Sequence, residues 1–394
     1  MKNKNTKKGH SLCRWFFRGL VAVLVIWIIY SWIAVSGYNP LDLIKGEVSP
    51  DYAEFRGAAH IHTHFSHDSR GKIEDILSYA KDIGLEFLVI SDHNNMGCWD
   101  ISKKRSGKMP LLIAANELST DAGHLLGYNL NTKRNIFPDD HNEAIKEIHK
   151  DGGIAVIAHP TRRKTQWKDI DAEGIDGSEV MNFEDFIFGS PKIKLVWMLP
   201  RVFINQKTAF SSLIEYPSST IEIWNKLSQK KKTIGFAGTD SHGPLFLGIP
   251  AYEALLGTLN IHIVAAKRIG FHLTEDFVRE SLKNGNFYMA VDCIAISRHI
   301  DFRLRRSDGT SVLIGGEASS VLPGDNLTFE ASLPAGSVTN LIKDGQIIKK
   351  FSGNHFSYNV AVKGAYRVEV IIPEEYNNYG KDMIWIITNH IYIY

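Results

Sequence analysis

The sequence has little cysteine, with only Cys13, Cys98 and Cys293 among 394 residues. Three cysteines provide no disulfide framework, and Cys13 cannot be a lipobox cysteine because it precedes the apolar segment. Cys98 and Cys293 are either a disulfide pair in an oxidising compartment or two buried thiols. The chain also has no P-loop, Rossmann fingerprint or nucleophile-elbow serine, which argues against the enzyme classes built on those motifs.

The chain has little net charge, because 45 Lys and Arg residues face 43 Asp and Glu residues. The slight excess of positive charge is confined to the first residues, so the rest of the protein is mildly acidic. A mildly acidic body argues against a nucleic-acid-binding surface, and we expect no nucleic-acid partner. The cations at the N-terminus are Lys2, Lys4, Lys7, Lys8, Arg14 and Arg18.

One long apolar run, from Leu20 to Val35, follows these cations. It is somewhat shorter than the roughly 20 residues that span a bilayer, but longer than the usual signal-peptide core of about 7–15 residues. We interpret residues 1–50 as a cytoplasmic basic region, a transmembrane signal anchor and a linker, with the body of the protein extracytoplasmic. The alternative is a secreted protein cleaved near Ala34-Val35-Ser36.

Residues 51–290 alternate between strand and helix patterns. Asp140 with Glu143 forms a capping box, and Thr274 begins a helix that Gly285 ends. Repeated βα units predict an α/β fold with a parallel sheet, most simply a barrel.

Residues 291–394 contain short alternating runs separated by turns, and predict an antiparallel β-sandwich accessory domain. Within the barrel, residues 183–218 form an apolar, aromatic insertion. Three interpretations remain open for it: a lid over the site, a segment that touches a membrane, or an ordinary helical elaboration.

Residues with metal-ligand chemistry follow the apolar runs of residues 51–290. His60 and His62 are spaced so that an extended strand would place both imidazoles on one side. Because one strand after another ends in such a residue, the pattern predicts a multinuclear metal centre at one face of a barrel. The candidates from the residues alone are His60, His62, Asp68, Asp92, His93, Glu117, His159, Asp240 and His242.

The ordered motifs HIHTHFSHD, SDHN, NELSTDAGHLLGY, AHP and GTDSH resemble the polymerase and histidinol phosphatase (PHP) superfamily over roughly residues 54–290. This resemblance implies a distorted (β/α)7 barrel that holds two or three metal ions. The strings DHN, GHLLGY and GTDSHG, with the C-terminal WIITNHIYIY, are similar to the branch that contains bacterial carbaryl (aryl carbamate) hydrolases.

The resemblance also implies three groups of ligands. A mixed set of imidazoles and carboxylates suits Zn, Mn or Fe and excludes a thiolate-rich zinc site. Asp68 stands where some relatives carry His. The groups are His60, His62, Glu117 and Asp240 for the first ion; Glu117, His124 and His159 for the second; and Asp68, His93 and His242 for the third.

Two further residues are candidates for catalysis. Arg162 resembles the placement of a phosphate-binding arginine, but the turn could also be a solvated basic one. Asp92 could orient a ligand or act as a general acid, or it could cap a loop.

The expected function is therefore that of a metal-dependent phosphoesterase with a metal-bound hydroxide as nucleophile. The alternatives are a carbamate or carboxylic ester hydrolase with the same ions, and a binding module that the metals only stabilise. The substrate would be a small-molecule or lipid-linked phosphoester or ester, and the oligomeric state is open.

Overall fold

The computed structural model describes residues 5–36, 41–44, 52–134, 137–243, 252–266 and 272–394, with the side chains of the first helix described from Cys13 onward. Most of the predicted linker therefore lies outside the described residues, as do Lys2 and Lys4. The helices are α1 (Asn5–Ser36), α2 (Ile73–Asp82), α3 (Trp99–Lys104), α4 (His141–Lys150), α5 (Phe183–Gly189), α6 (Lys192–Ile204), α7 (Gln206–Ser211), α8 (Ser218–Lys230), α9 (Tyr252–Leu256), α10 (Glu275–Asn284) and a 3-10 turn, Glu374–Tyr376.

The strands of the first part of the chain are β1 (Leu43–Ile44), β2 (Tyr52–Ile61), β3 (Phe87–Ile90), β4 (Leu111–Ala114), β5 (Asn116–Thr120), β6 (Gly123–Tyr128), β7 (Ile154–Ile157), β8 (Gly177–Asn182), β9 (Ile234–Gly238), β10 (Asn260–Ala266) and β11 (Phe287–Ala290). Those of the C-terminal region are β12 (Asp301–Arg305), β13 (Ser311–Leu313), β14 (Glu317–Ala318), β15 (Asn326–Glu330), β16 (Leu333–Pro334), β17 (Val338–Lys343), β18 (Gln346–Ser352), β19 (His355–Asn359), β20 (Gly364–Ile372), β21 (Met383–Thr388) and β22 (Ile391–Ile393).

The predicted mixed α/β fold is confirmed. Strands β2, β3 and β4 are parallel neighbours at one end of a large sheet, and β5 to β9 form a second sheet in sequence order. The two sheets meet at isolated parallel bridges, Ile61 with Ser241 and His93 with Glu117. The single seven-stranded barrel is not confirmed as such, because its expected strands are divided between these two sheets.

Local sequence signals place the helices as expected. The side chain of Asp140 accepts a hydrogen bond from the Glu143 amide at 2.9 Å and begins α4. Thr274 caps α10 in the same way, and Gly285 ends it in the left-handed conformation with φ 75°. These caps fix where α4 begins and where α10 begins and ends.

The strand-rich C-terminal region is joined to the first part of the chain through a continuous sheet. Strand β21 pairs with β11, which pairs with β10, which pairs with β2. A separate sheet, in the order β13-β12-β15-β19, contains other strands of the region. One part of the predicted sandwich therefore extends the large sheet instead of forming a sheet of its own.

Helix α1 contains an apolar stretch, Cys13–Ser36, of 24 residues with mean hydropathy 2.3, long enough to cross a membrane or to be a signal sequence. The insertion folds mainly as α5, α6 and α7. Part of it belongs to the core: Phe183 and Phe210 are buried and pack edge to face at 5.2 Å.

A buried charged network joins β2, β10 and the segment after β11. The imidazole of His262 contacts Glu54 Oε1 at 2.9 Å through Nδ1 and Asp292 Oδ2 at 3.0 Å through Nε2. Burial lowers the pKa of His262, but the charges of Asp292 and Glu54 outweigh it and raise the pKa to about 9.

We expect this network to make stability depend on alkaline pH. Because the pKa of His262 is higher in the folded state, its protonation stabilises the folded protein. This stabilisation is fully present below the unfolded-state pKa of about 6.5 and is lost as the pH rises through about 9. The thermal midpoint of the parent protein, followed from about pH 7 to pH 10, should fall more steeply than that of His262→Gln, which cannot gain the proton. Parallel curves would show that His262 is not charged in the folded state.

Candidate metal centre

The structure brings all nine predicted ligands together where strands of both sheets end. His60 lies at the end of β2, with His62 directly after it. Glu117 lies in β5 and His124 in β6, while His159 follows β7. His93, Asp240 and His242 come from the segments after β3 and β9, and Asp68 returns from the loop after β2.

The buried carboxylate of Glu117 lies between two groups of imidazoles. Its Oε1 is 2.8 Å from His124 Nδ1 and 2.9 Å from His159 Nε2. Its Oε2 is 3.0 Å from His60 Nε2 and 3.2 Å from His62 Nε2. One carboxylate thus presents a different oxygen to each group, which is the arrangement expected of a residue that bridges two cations.

Asp240 completes the group around His60 and His62. Its Oδ1 is 3.1 Å from His62 Nε2 and 3.3 Å from His60 Nε2. One ligand atom from each of His60, His62, Glu117 and Asp240 can be chosen so that all four lie within 4.8 Å of one another. All four residues are buried, so a cation held by them would be shielded from bulk water.

A third group lies nearer the surface. Asp68 Oδ2 is 3.3 Å from His93 Nε2 and 3.3 Å from His242 Nε2. The rings of His62 and His242 stack with centroids 4.2 Å apart, which joins this group to the buried one. Asp68 is the most exposed of the three side chains, so this group opens toward solvent.

For three of the imidazoles, the nitrogen turned away from the centre is held by another group. His60 Nδ1 is 2.8 Å from Glu179 Oε1, and His62 Nδ1 is 3.0 Å from Ser66 Oγ. His159 Nδ1 is 3.2 Å from Thr165 Oγ1. Such contacts fix the ring and its tautomer so that Nε2 can bind a metal.

The backbone at the site adopts conformations that side chains rarely permit. His60, Asp240 and His159 have positive φ angles of 57°, 49° and 26°. His60 therefore departs from the regular pleat, and β2 also shifts register against β3 between Ala58 and Ile61. The two histidines do converge as predicted, but through this local distortion and not through the alternation of an extended strand.

Gly238, at the end of β9, permits the same convergence. A Cβ atom at this position would lie 1.9 Å from Glu179 Oε1 and 2.8 Å from the Cβ of His60. The glycine of the GTDSH motif is therefore required because the carboxylate that supports His60 occupies the space of a side chain.

The buried carboxylates are held in their ionised form. Burial alone would raise the pKa of Glu117, but the charge of His60 and hydrogen bonds from His124 and His159 lower it well below its usual range. The pKa of Asp240 is lowered for similar reasons, by His60 and Arg162. Two anionic groups ringed by imidazoles suit divalent cations, which would take the place of the imidazole protons.

A further observation supports a metal at this place. Among the described residues, the buried Nδ1 atom of His93 makes no hydrogen bond, although it lies 3.3 Å from Glu117 Oε2. A buried polar atom without a partner is costly, and a cation beside Glu117 would satisfy it. The residues present therefore fit a centre with nitrogen and oxygen ligands.

Arg162 lies beside the ligands but is engaged with acidic and amide oxygens. It donates from Nε to Asp185 at 2.7 Å, from Nη1 to Glu184 at 2.9 Å, and from Nη2 to Asp240 at 2.7 Å and Asn182 at 3.0 Å. Arg162 is therefore paired and not solvated, whereas the next two residues of the basic turn, Arg163 and Lys164, are exposed. A bidentate phosphate contact would have to displace these partners, one of which is the candidate ligand Asp240.

Asp92 is buried and faces the loop that follows His62. Its carboxylate accepts from the Thr63 amide at 2.6 Å and from Thr63 Oγ1 at 2.9 Å. It belongs to none of the groups of ligand atoms that converge in the described structure. The loop-capping interpretation of Asp92 therefore fits its contacts, and it can orient the loop that carries the ligands.

Three acidic residues in and after β8 were not predicted. Glu179 Oε1 contacts His60, and its Oε2 accepts from the His159 amide at 2.7 Å. Glu184 and Asp185 hold Arg162 from the start of α5. A glutamate inside the buried run SEVMN was the signal available for Glu179, because a charge in a fully buried strand needs a partner.

Comparison with known proteins agrees with the motif assignment. Residues 58–158 match the family model of the PHP domain, which confirms the predicted resemblance to this family for that part of the chain. The match does not test the narrower resemblance to carbamate hydrolases.

Over 114 residues, 26% of this chain, the sequence is 30% identical to an uncharacterized protein of Methanocaldococcus jannaschii. The match spans 65% of that protein's length, less than two thirds of it.

Two solved structures are similar at low sequence identity. One is a two-domain protein of Bacteroides vulgatus containing a predicted PHP-like metal-dependent phosphoesterase. It is 15% identical, with a TM-score of 0.45 over 89% of this chain and 100% of that one. The other, from Bifidobacterium adolescentis and described as a metal-dependent phosphoesterase, is 18% identical, with a TM-score of 0.34 over 57% of this chain and 94% of that one.

We expect Glu117→Gln to lose bound metal, because an amide offers one good acceptor oxygen in place of two. Elemental analysis of the full-length parent, grown with added Zn or Mn, should find roughly two to three ions per chain, and the variant should hold about one fewer or none. Ile148→Ala, which removes a buried side chain of α4, is the control. It should cost about 2–5 kcal/mol of stability while the metal content is retained. Less than one ion per parent chain would contradict the assignment.

Proposed function

We propose that the chain is a metal-dependent phosphoesterase of the PHP type with a di- or trinuclear centre. The observation that carries the proposal is that the two carboxylate oxygens of Glu117 face different groups of imidazoles. One oxygen faces His124 and His159, and the other faces His60 and His62. A stabilising metal site needs only one closed set of ligands. Here, two groups of ligands share the carboxylate of Glu117, and a third group opens toward solvent at Asp68. Both features favour a catalytic centre over a binding module.

The chain's own residues would divide the work as follows. His60, His62 and Asp240 would hold one ion, His124 and His159 a second, and Asp68, His93 and His242 a third. Bound there, divalent cations would neutralise charge on a phosphoester and lower the pKa of water. Glu179 would keep the imidazole of His60 oriented, and Arg162 would keep Asp240 ionised and turned toward the centre.

A cavity of roughly 300 Å³ lies next to the proposed site, between the end of β8 and the insertion. Asn182 and Asp185 line it on the side of Arg162, while Phe186 and Tyr216 provide apolar walls. Its size suits a small organic group. We propose that it receives the leaving group, so that the insertion helps to select substrates with an aryl or lipid portion.

A second function has an observation in its favour. Phosphoesterases benefit from a free cation beside the metals, whereas Arg162 is already paired with Asp185, Glu184 and Asp240. A neutral substrate would need no such cation. Hydrolysis of a carbamate or carboxylic ester by the same ions is therefore the alternative that the experiment must separate.

The finer points of architecture and location are also proposals. The parallel bridge of Ile61 with Ser241 supports a distorted PHP-type barrel built from the two sheets. The basic residues before the apolar stretch of α1 support a signal anchor with the metal centre outside the cytoplasm.

We expect full-length protein, purified with Mn or Zn, to hydrolyse p-nitrophenyl phosphate or bis-p-nitrophenyl phosphate faster than p-nitrophenyl acetate or an aryl carbamate. Glu117→Gln should lower the rate at least about 100-fold, because the ions and the water they activate are lost. Ile148→Ala should keep the parent rate below its lowered melting temperature. Turnover of only the acetate or the carbamate would support the alternative, and metal-loaded protein inactive on all four compounds would support a binding module.

A further inference from the structure

Helix α6 exposes a broad apolar surface. Ile193, Trp197 and Phe203 have exposed fractions of 64%, 49% and 63%. With Val196, Leu199 and Ile204 they form what we call the outer face of α6. The opposite side, including Met198 and Val202, packs on the core. A helix that is apolar nearly all round is typical of a protein interior or of a membrane.

The outer face is continuous with the apolar surface of α1. The rings of Trp27 and Trp197 meet edge to face with centroids 6.1 Å apart. The guanidinium of Arg201 lies 5.8 Å from the ring of Tyr30. These contacts involve the second half of the apolar stretch of α1, so a bilayer that surrounds this part of α1 must also meet α6.

Two of the three charges of α6 contact groups outside the outer face, and the third, Lys192, is exposed at its N-terminal end. Lys192 and Lys194 lie in its first turn, and Lys194 turns toward Glu215, 2.9 Å away. Arg201 lies against the ring of Tyr30 on α1. Lysine and arginine beside aromatic rings are typical of the lipid interface, where the stems lie among apolar groups and the charges reach the headgroups.

We propose that the outer face of α6 is embedded in the bilayer beside α1, so that the partner of this surface is lipid. Helix α5, which begins directly after Asn182, connects α6 to the metal centre and carries two partners of Arg162. Embedding α6 therefore holds the entrance of the site close to the lipid headgroups. The inference requires α1 to lie in a membrane, and it is independent of the hydrolytic activity.

Spin labels on the full-length chain can test this placement. In a Cys13→Ser background, in which Cys98 and Cys293 are buried, single cysteines are introduced at Phe203, at Ile26 of α1 and at Ile347 of β18. Ile347 is a matched control, because it is an apolar residue of the C-terminal region with an exposed fraction of 51%. The proteins are placed in nanodiscs of phosphatidylcholine and phosphatidylglycerol, and the relaxation of each label by oxygen and by a water-soluble nickel chelate is compared.

We expect oxygen to relax the labels at positions 203 and 26 more than nickel does, with the order reversed at position 347. Nickel access at position 203 with oxygen access at position 26 would overturn the inference and leave the anchor intact. Nickel access at both positions would overturn the anchor as well. Shielding from both reagents at position 203 would indicate that a second copy of the chain covers the outer face of α6. That result would also overturn the inference, because the partner of this surface would then not be lipid. If Phe203→Cys fails to fold, Ile193→Cys on the same face gives the same comparison.

Discussion

The sharing of the Glu117 carboxylate between two groups of imidazoles is the constraint on which the rest of the site depends. Buried ionised groups are costly unless each is paired, and here the partners come from separate strands of both sheets. Their convergence requires left-handed backbone at His60 and Asp240 and a glycine at position 238. The two sheets are bridged at Ile61 with Ser241 and at His93 with Glu117, so the side chains of both sheets reach a common centre there.

The residues that converge at the site could be predicted from the sequence, whereas the reason for their convergence could not. A ligand-type residue at the end of each apolar run is a local signal, and the order of the motifs made it specific. The geometry at His60 depends on Glu179 and Gly238, which come from distant parts of the chain. The contacts of Arg162 could not be predicted from the sequence either. Its acidic partners follow β8, and sequence order alone does not place the end of that strand beside Arg162.

The fold was predictable at the level of elements and less so at the level of sheets. Caps such as Asp140 and Thr274 act within one turn of a helix, so the sequence alone was enough to place them. Strand pairing joins distant segments, and the pairing of β21 with β11 has no local signature. The same is true of the contact of α1 with α6, which relates the apolar N-terminus to the insertion beside the metal centre.

The most direct test of the account is the electron paramagnetic resonance spectrum of the Mn(II)-loaded full-length protein. Two Mn(II) ions joined by the Glu117 carboxylate should be exchange-coupled and give a multiline spectrum. In Glu117→Gln this spectrum should be replaced by that of isolated Mn(II). A parent protein that binds Mn(II) stoichiometrically but shows only isolated ions would contradict the shared carboxylate, and with it the account of the site.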